Sequence, residues 1–155
     1  MKWGKRMKEW IIAGIILTGL LTAAVMDIKW KRINSVILLI CSFLVWIVHF
    51  IAKDNWGVFV MISLCIFSFF YLVSVLTHEQ IGRGDAFLFL LAGSGLGVSE
   101  NVVFLFLCFF FAFVGALCFL LIRHVNKSYE MPLAPYVLVS YLILFIEKQA
   151  GGGVI

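Results

Sequence analysis

Long apolar runs separated by short charged clusters make up most of this chain. A helix that crosses a bilayer needs about 20 apolar residues, and four uncharged runs are long enough. They are residues 10–26, 33–52, 56–77 and 102–122. The stretch 104–113 has the aromatic content of a strand, but its length and its lack of alternation with a period of two favour a helix. Each of the four runs therefore predicts a membrane-spanning helix.

Two shorter apolar segments complete the pattern. Residues 85–99 contain three glycines, which let a neighbouring helix approach closely, and on length alone the segment also suits a re-entrant helix. Residues 132–147 begin with Pro132 and Pro135, and proline is tolerated in the first turn of a helix because the amide has no partner there. We predict an all-α, polytopic membrane protein with six transmembrane helices in one domain, residues 1–155.

The composition excludes two classes of protein. Of 155 residues, 64% are hydrophobic and 13% are charged, whereas soluble domains average about 45–50% apolar and about 25% charged residues. A soluble globular fold is therefore excluded, and so is disorder, which requires low hydrophobicity. The basic N-terminus followed by an apolar run also resembles a signal peptide, but the run is longer than usual and more membrane segments follow.

The net charge of +4 indicates contact with anionic lipid headgroups rather than with nucleic acid, because the basic residues lie between apolar runs. Six spans place six basic residues on each face of the membrane, so the positive-inside rule gives no orientation. One face holds Lys29, Lys31, Arg32, Arg83, Arg123 and Lys127, and the other holds Lys2, Lys5, Arg6, Lys8, Lys53 and Lys148.

The cysteines and histidines indicate no metal site. The four cysteines lie inside apolar runs, without CxxC spacing or a neighbouring histidine, so we interpret them as small buried hydrophobic residues and expect no metal and no cofactor. They are Cys41, Cys65, Cys108 and Cys118. We interpret His78 as a loop residue rather than as a proton carrier.

Two of the eight acidic residues stand apart. Five lie beside other polar residues at termini or connections, where a solvated side chain is expected: Glu9, Asp54, Glu100, Glu130 and Glu147. A sixth, Glu79, belongs to the same loop as Asp85 and is a weaker candidate. Asp27 instead ends the first span, and Asp85 opens the fourth segment. Because the second and third spans form a hairpin, both aspartates are expected on the same side of the membrane. The alternatives are a plain helix N-cap for Asp85 and an interfacial carboxylate, neutralised by its basic neighbours, for Asp27.

Together the two aspartates predict acid–base chemistry. Two neighbouring carboxyl groups share a proton, so that one acts as a base toward water and the other as an acid toward a carbonyl, as in aspartic proteases. The helix dipoles predict that Asp85 stays ionised and that Asp27 holds the proton. Gly82 and Gly84 permit unusual backbone angles and the close approach of an extended peptide, although a simple turn would also use glycine.

These residues carry a resemblance to a known family. In order and spacing, nearly the whole chain resembles the type IV prepilin peptidases, which are six-span GxGD aspartic proteases of bacteria with archaeal preflagellin peptidases as relatives. The matching motifs are Asp27-Ile28-Lys29-Trp30-Lys31-Arg32-Ile33-Asn34, Gly82-Arg83-Gly84-Asp85 and Met131-Pro132-Leu133-Ala134-Pro135-Tyr136.

The resemblance implies that Asp27 and Asp85 are catalytic and face the cytoplasm, with both termini outside the cell membrane. It adds Gly82, Gly84, Pro132 and Pro135 as residues that bind substrate or shape the site. The implied substrate is the short basic leader of a pilin-like precursor, cut ahead of its hydrophobic helix.

The chain departs from the family pattern at three places. The proline that usually follows Ile33 is missing before Asn34, Phe87 replaces a frequent lysine, and Ala134 replaces a frequent glycine. The longer bifunctional members of the family add a large cytoplasmic loop with two cysteine pairs and also methylate the new N-terminus. This sequence has neither the loop nor the pairs, which indicates a short, peptidase-only form without methylation. The alternatives are a non-catalytic homologue that binds pilin precursors and a small ion- or proton-coupled transporter. A transporter predicts internal repeats, and the hydropathy shows none.

Overall fold

The computed structural model describes residues 2–52, 55–77, 82–122 and 132–151. Six helices follow one another: α1 (Lys2–Trp30), α2 (Ser35–Ile51), α3 (Trp56–Leu76), α4 (Arg83–Ser94), α5 (Val98–Ile122) and α6 (Ala134–Gln149). These described ranges contain no strand, which confirms the predicted all-α class. The predictions made for Lys53, Asp54, His78, Glu79, Arg123, Lys127 and Glu130 fall on residues outside these ranges.

Among the described residues, three helical stretches are long and apolar enough to cross a membrane: Met7–Trp30 within α1, Trp56–Leu76 and Val98–Leu121. The apolar helix α2 is shorter, with 17 residues. Helix α4 has 12 residues, and at 1.5 Å per residue it extends about 18 Å, which is less than the hydrocarbon core of about 30 Å. The structure therefore shows a membrane protein, while the count of six spans stays a prediction.

The fourth segment ends earlier than predicted. The sequence predicts a segment over residues 85–99, but α4 ends at Ser94, and Val98 already begins α5. The Nδ2 atom of Asn101, a residue only 2% exposed, donates to three carbonyl oxygens of the turn between the helices. These are the oxygens of Gly93, Leu96 and Gly97, at 3.2, 3.0 and 3.1 Å. One buried side-chain amide thus holds the turn between α4 and α5 closed.

The prediction that Glu100 is a solvated loop residue is wrong. Glu100 lies in the first turn of α5, where its Oε2 atom accepts a 3.0 Å hydrogen bond from the Gly97 N–H. Its Oε1 atom lies 2.7 Å from Nζ of Lys148 on α6. Glu100 therefore caps its own helix and links it to α6.

Helix α4 lies at the centre of the molecule. Packing surrounds it with α1, α2, α3 and α6, and its residues 88–94 are all buried. On the remaining side, phenylalanine rings fill the space toward α5. The Phe89 ring stacks on Phe70 of α3 at 4.2 Å and neighbours Phe104 and Phe109 of α5 at 6.3 and 6.0 Å. The half-length helix that carries Asp85 is therefore held on all sides by its neighbours.

The cysteines differ in burial. All four are free thiols. Cys108 is fully buried and Cys41 is partly buried, but Cys65 and Cys118 are exposed on the surface of the helices. The interpretation of the cysteines as buried hydrophobic residues is thus confirmed for Cys108 and wrong for Cys65 and Cys118, because an apolar run does not reveal which side of its helix faces the core.

Candidate active site

Asp27 lies inside the last turn of α1 rather than at its end. The helix continues to Trp30 and stops where Lys31 adopts a positive φ of 49°, a conformation that commonly terminates helices. The Lys31 N–H donates to the Asp27 carbonyl oxygen at 3.0 Å. The Asp27 side chain is only 9% exposed. A carboxyl group that is buried among apolar helices needs polar partners, and these come from elsewhere in the chain.

Asp85 occupies the first turn of α4, but it is not the N-cap. Gly82 is the N-cap, with an extended backbone at φ −58° and ψ 135°, and its carbonyl oxygen accepts the Asp85 N–H at 3.0 Å. The Asp85 carboxylate interacts in return with the Gly82 backbone, as an acidic residue does at the third position of a helix. The plain N-cap interpretation of Asp85 is therefore wrong, and its carboxylate remains partly accessible.

The structure brings the two aspartates together. Asp27 and Asp85 are 58 positions apart (85 − 27), and the packing of α1 against α4 brings their carboxyl groups within electrostatic range of each other. Both groups lie at the end of the molecule where α1 finishes and α4 begins. This convergence agrees with the arrangement that the hairpin of the second and third segments predicts.

The polar partner of Asp27 comes from the start of α6. The Ala134 N–H donates to Oδ2 of Asp27 at 3.1 Å in a buried contact that joins residues 107 positions apart. The Leu133 backbone amide interacts with the same carboxylate. Leu133 is the N-cap of α6, and no side chain of that segment caps the helix. Asp27 therefore supplies from α1 the acceptor that an N-cap side chain usually provides.

Pro132 and Pro135, predicted near the site by resemblance alone, lie on either side of these two amides. The sequence does not predict the hydrogen bond itself. Its donor is a backbone N–H, and every residue except proline carries one. The feature of the sequence that points to this region is the spacing of Pro132 and Pro135, which lie on either side of the two N–H donors.

The two glycines of the motif have different surroundings. A Cβ atom at Gly84 would lie 2.9 Å from Cβ of Ile33, closer than side chains tolerate, whereas one at Gly82 would meet Oδ2 of Asp85 at an ordinary 3.5 Å. Gly84 therefore permits close packing of α4 against the segment that follows α1. Gly82 is exposed beside the Asp85 carboxylate. The sequence predicts the close approach of an extended peptide at the glycines, whereas the group packed against Gly84 is this chain's own Ile33.

Each of the three residues that depart from the family pattern makes a defined contact in the structure. Asn34 is the N-cap of α2, and its Oδ1 atom accepts the Val36 N–H at 3.1 Å. Phe87 packs against Phe67 of α3 with ring centres 4.9 Å apart, so an apolar contact takes the place of a positive charge. Ala134 is fully buried, and its backbone N–H holds Asp27.

The chemical groups around the aspartates are few. Cys108 of α5, which is fully buried, lies within electrostatic range of Asp85, and the exposed Lys29, Arg32 and Arg83 belong to the same end of the molecule. In the described parts of the chain, no group of three or more His, Cys, Asp or Glu residues is placed to hold a metal ion. The arrangement suits proton transfer by two carboxyl groups, one of which is held by backbone amides.

Comparison with known proteins identifies a family to which this chain is similar. The sequence model of the type IV leader peptidase family matches residues 14–121, which is more than half of the chain and includes Asp27 and Asp85. The matched range ends before α6. No curated protein and no solved structure matches the chain.

Proposed function

This chain belongs to the type IV leader peptidase family, and we propose that it is a membrane aspartic endopeptidase that removes the leader of prepilin-like precursors at the cytoplasmic membrane face. Family membership makes it a peptidase, and its long apolar helices make it a membrane protein. The catalytic use of the aspartates is supported by one observation above all. The carboxyl groups of Asp27 and Asp85, from distant parts of the chain, lie within electrostatic range of each other at one end of the helices.

The proposed reaction needs two carboxyl groups in opposite protonation states. The ionised one takes a proton from water while the water oxygen attacks the carbon of the scissile peptide bond. The protonated one gives its proton to the carbonyl oxygen, which yields a neutral gem-diol. Return of a proton to the peptide nitrogen then lets the C–N bond break, with a carboxyl group on the leader and a free amine on the mature protein.

The position of the site suits a peptide that emerges from the membrane. A charged aspartate at the centre of a spanning helix costs about 2.5–3.5 kcal/mol on insertion scales, and the placement of Asp27 and Asp85 at helix ends lowers this cost. The exposed, extended backbone at Gly82 lies directly beside the Asp85 carboxylate. An extended leader peptide can come close to the carboxylate here, because Gly82 has no side chain to block it.

Direct cleavage tests the proposal. The purified protein is reconstituted in liposomes with a pilin-like precursor that carries a short basic leader ahead of its apolar helix. We expect the gel mobility of the precursor to increase and mass spectrometry to find a new N-terminus at the boundary of that helix. Binding of the precursor without any cleavage would instead favour the non-catalytic homologue.

Cysteine labelling tests the proposed orientation. In a background with the four natural cysteines replaced by alanine, Ala52→Cys marks the connection between α2 and α3, and Arg32→Cys marks the face of the aspartates; both positions are exposed. We expect a membrane-impermeant maleimide to label Ala52→Cys in intact cells and Arg32→Cys only after the membrane is opened. The reverse pattern would place the site outside the cytoplasm.

A further inference from the structure

The first turn of α6 has few backbone N–H groups, and nearly all of them have an acceptor. The Ala134 N–H bonds to Oδ2 of Asp27, and the Leu133 amide interacts with the same carboxylate. Pro135 has no N–H. The Tyr136 N–H donates to the Leu133 carbonyl oxygen at 3.0 Å. The sequence from Pro132 to Pro135 therefore presents two backbone donors with a proline on either side, and both donors serve one catalytic candidate.

We propose that the amide of Ala134, supported by that of Leu133, is a positioning group that fixes Asp27 as the base of the pair and leaves Asp85 as the acid. This inference rests on the proposed function, since it assigns roles within the proposed catalytic pair. It reverses the assignment that the helix dipoles of α1 and α4 alone predict. Asp27 does lie near the C-terminal end of α1, but it is bonded to the N-terminal end of α6.

Hydrogen-bond counting supports the assignment. Hydrogen bonds from N–H groups favour the ionised form of a carboxyl group, because the charged oxygen is the stronger acceptor. Oδ2 of Asp27 accepts the Ala134 N–H, and the Leu133 amide interacts with the same carboxylate. Two amides of α6 thus act on Asp27, whereas one backbone group, that of Gly82, acts on Asp85. The positive end of α6 also favours negative charge at this position. Oδ1 of Asp27 remains to accept a proton from water, while Asp85 donates to the carbonyl oxygen.

Several ionisable groups lie at the end of the molecule that holds Asp27. Asp85 faces it from α4, and Cys108 of α5 lies within electrostatic range of Asp85. Lys29, Lys31 and Arg32 follow Asp27 on its own segment and are exposed. On α6, the Tyr136 ring lies in direct contact with Gly115 of α5. From α6, the backbone amides of Ala134 and Leu133 interact with the Asp27 carboxylate.

An amide-to-ester substitution removes the N–H without changing a side chain. Ala134 is replaced by its α-hydroxy acid analogue, lactic acid, in the full-length protein. A hydrogen bond to a charged group is worth about 1.5–3 kcal/mol, so we expect kcat to fall by about 10- to 100-fold with KM nearly unchanged. The acidic limb of the pH–rate profile should move to higher pH, because Asp27 then ionises less readily and a base must be ionised to work.

The matched control is the same substitution at Val137. Its N–H donates to the Leu133 carbonyl oxygen at 3.3 Å, so the ester weakens the same helix without touching Asp27. We expect a small loss of stability and an unchanged pH–rate profile. An Ala134 ester with the wild-type profile, or the same displacement of the profile by both esters, would overturn the inference while cleavage by the unmodified protein still upheld the proposed function.

Discussion

Asparagine at position 27 or 85 is expected to abolish leader removal. General acid–base catalysis contributes about 100- to 10,000-fold to a rate, and a carboxamide neither takes a proton from water nor gives one to a carbonyl oxygen. We expect Asp27→Asn and Asp85→Asn each to lower the cleavage rate by a factor in this range. Because the two groups act as one unit, the double variant should be little worse than either single variant. Initial rates with a fluorescent precursor in liposomes measure all three.

The matched control for the aspartate variants is Glu147→Gln. It makes the same change from acid to amide at an exposed position near the C-terminal end of α6, and we expect the full rate. The Asp27→Asn variant keeps a side-chain oxygen that accepts the Ala134 N–H, so the start of α6 should stay capped and the protein should insert normally. Full processing by Asp27→Asn or Asp85→Asn would exclude the paired mechanism and favour a transporter or another catalytic group.

Gly84→Ala is expected to have the second largest effect. The new methyl group would lie 2.9 Å from Cβ of Ile33, and a Cβ atom cannot move away by rotation of its own side chain. Relief requires α4 or the segment after α1 to shift, which typically costs about 1–3 kcal/mol. Because the shift displaces Asp85 relative to Asp27, we expect the cleavage rate to fall by about 100-fold, since misplacement by about 1 Å has effects of that size.

Two further variants isolate the contact between Gly84 and Ile33. Gly14→Ala adds the same methyl group to α1 at a place with no atom within 4 Å, and its rate and stability should match those of the unmodified protein. Adding Ile33→Gly to Gly84→Ala removes the opposing Cβ atom and should restore part of the rate. Equal behaviour of Gly84→Ala and Gly14→Ala would show that the close packing at Gly84 is unimportant for activity.

The helices α2, α3 and α5 agree with the predicted segments to within a few residues at their ends. Their runs are bounded by charged or strongly polar residues, and in an apolar environment a helix is the local structure that satisfies its own backbone. Predictions fail where a boundary depends on a distant side chain. Asn101 binds three carbonyl oxygens of the turn after α4. Gly95 is the C-cap of α4, and glycine commonly ends helices, but the predicted segment continues past it to residue 99.

The candidate site also has some features that the sequence predicts and others that depend on distant parts of the chain. Asp27, Asp85 and the two motif glycines stand out in the sequence because charges are rare in apolar runs and glycines beside them are conspicuous. The groups that surround these residues are harder to predict from the sequence. Gly84 is predicted to admit a peptide, but its missing side chain makes room for Ile33. The roles of the two aspartates are predicted from their own helices, whereas the partner that distinguishes Asp27 lies on α6.

The sequence by itself determined that this protein is helical, that it belongs in a membrane and that two acidic residues interrupt its apolar runs, because hydrophobicity and charge are properties of residues counted along the chain. The tertiary structure decided which groups face each other. It joined Asp27 to the first amides of α6, placed Ile33 against Gly84 and closed the end of α4 with Asn101. The sequence does not show which group a backbone N–H or the open side of a glycine faces, because this depends on how the helices pack. Those contacts set the geometry of the two carboxyl groups.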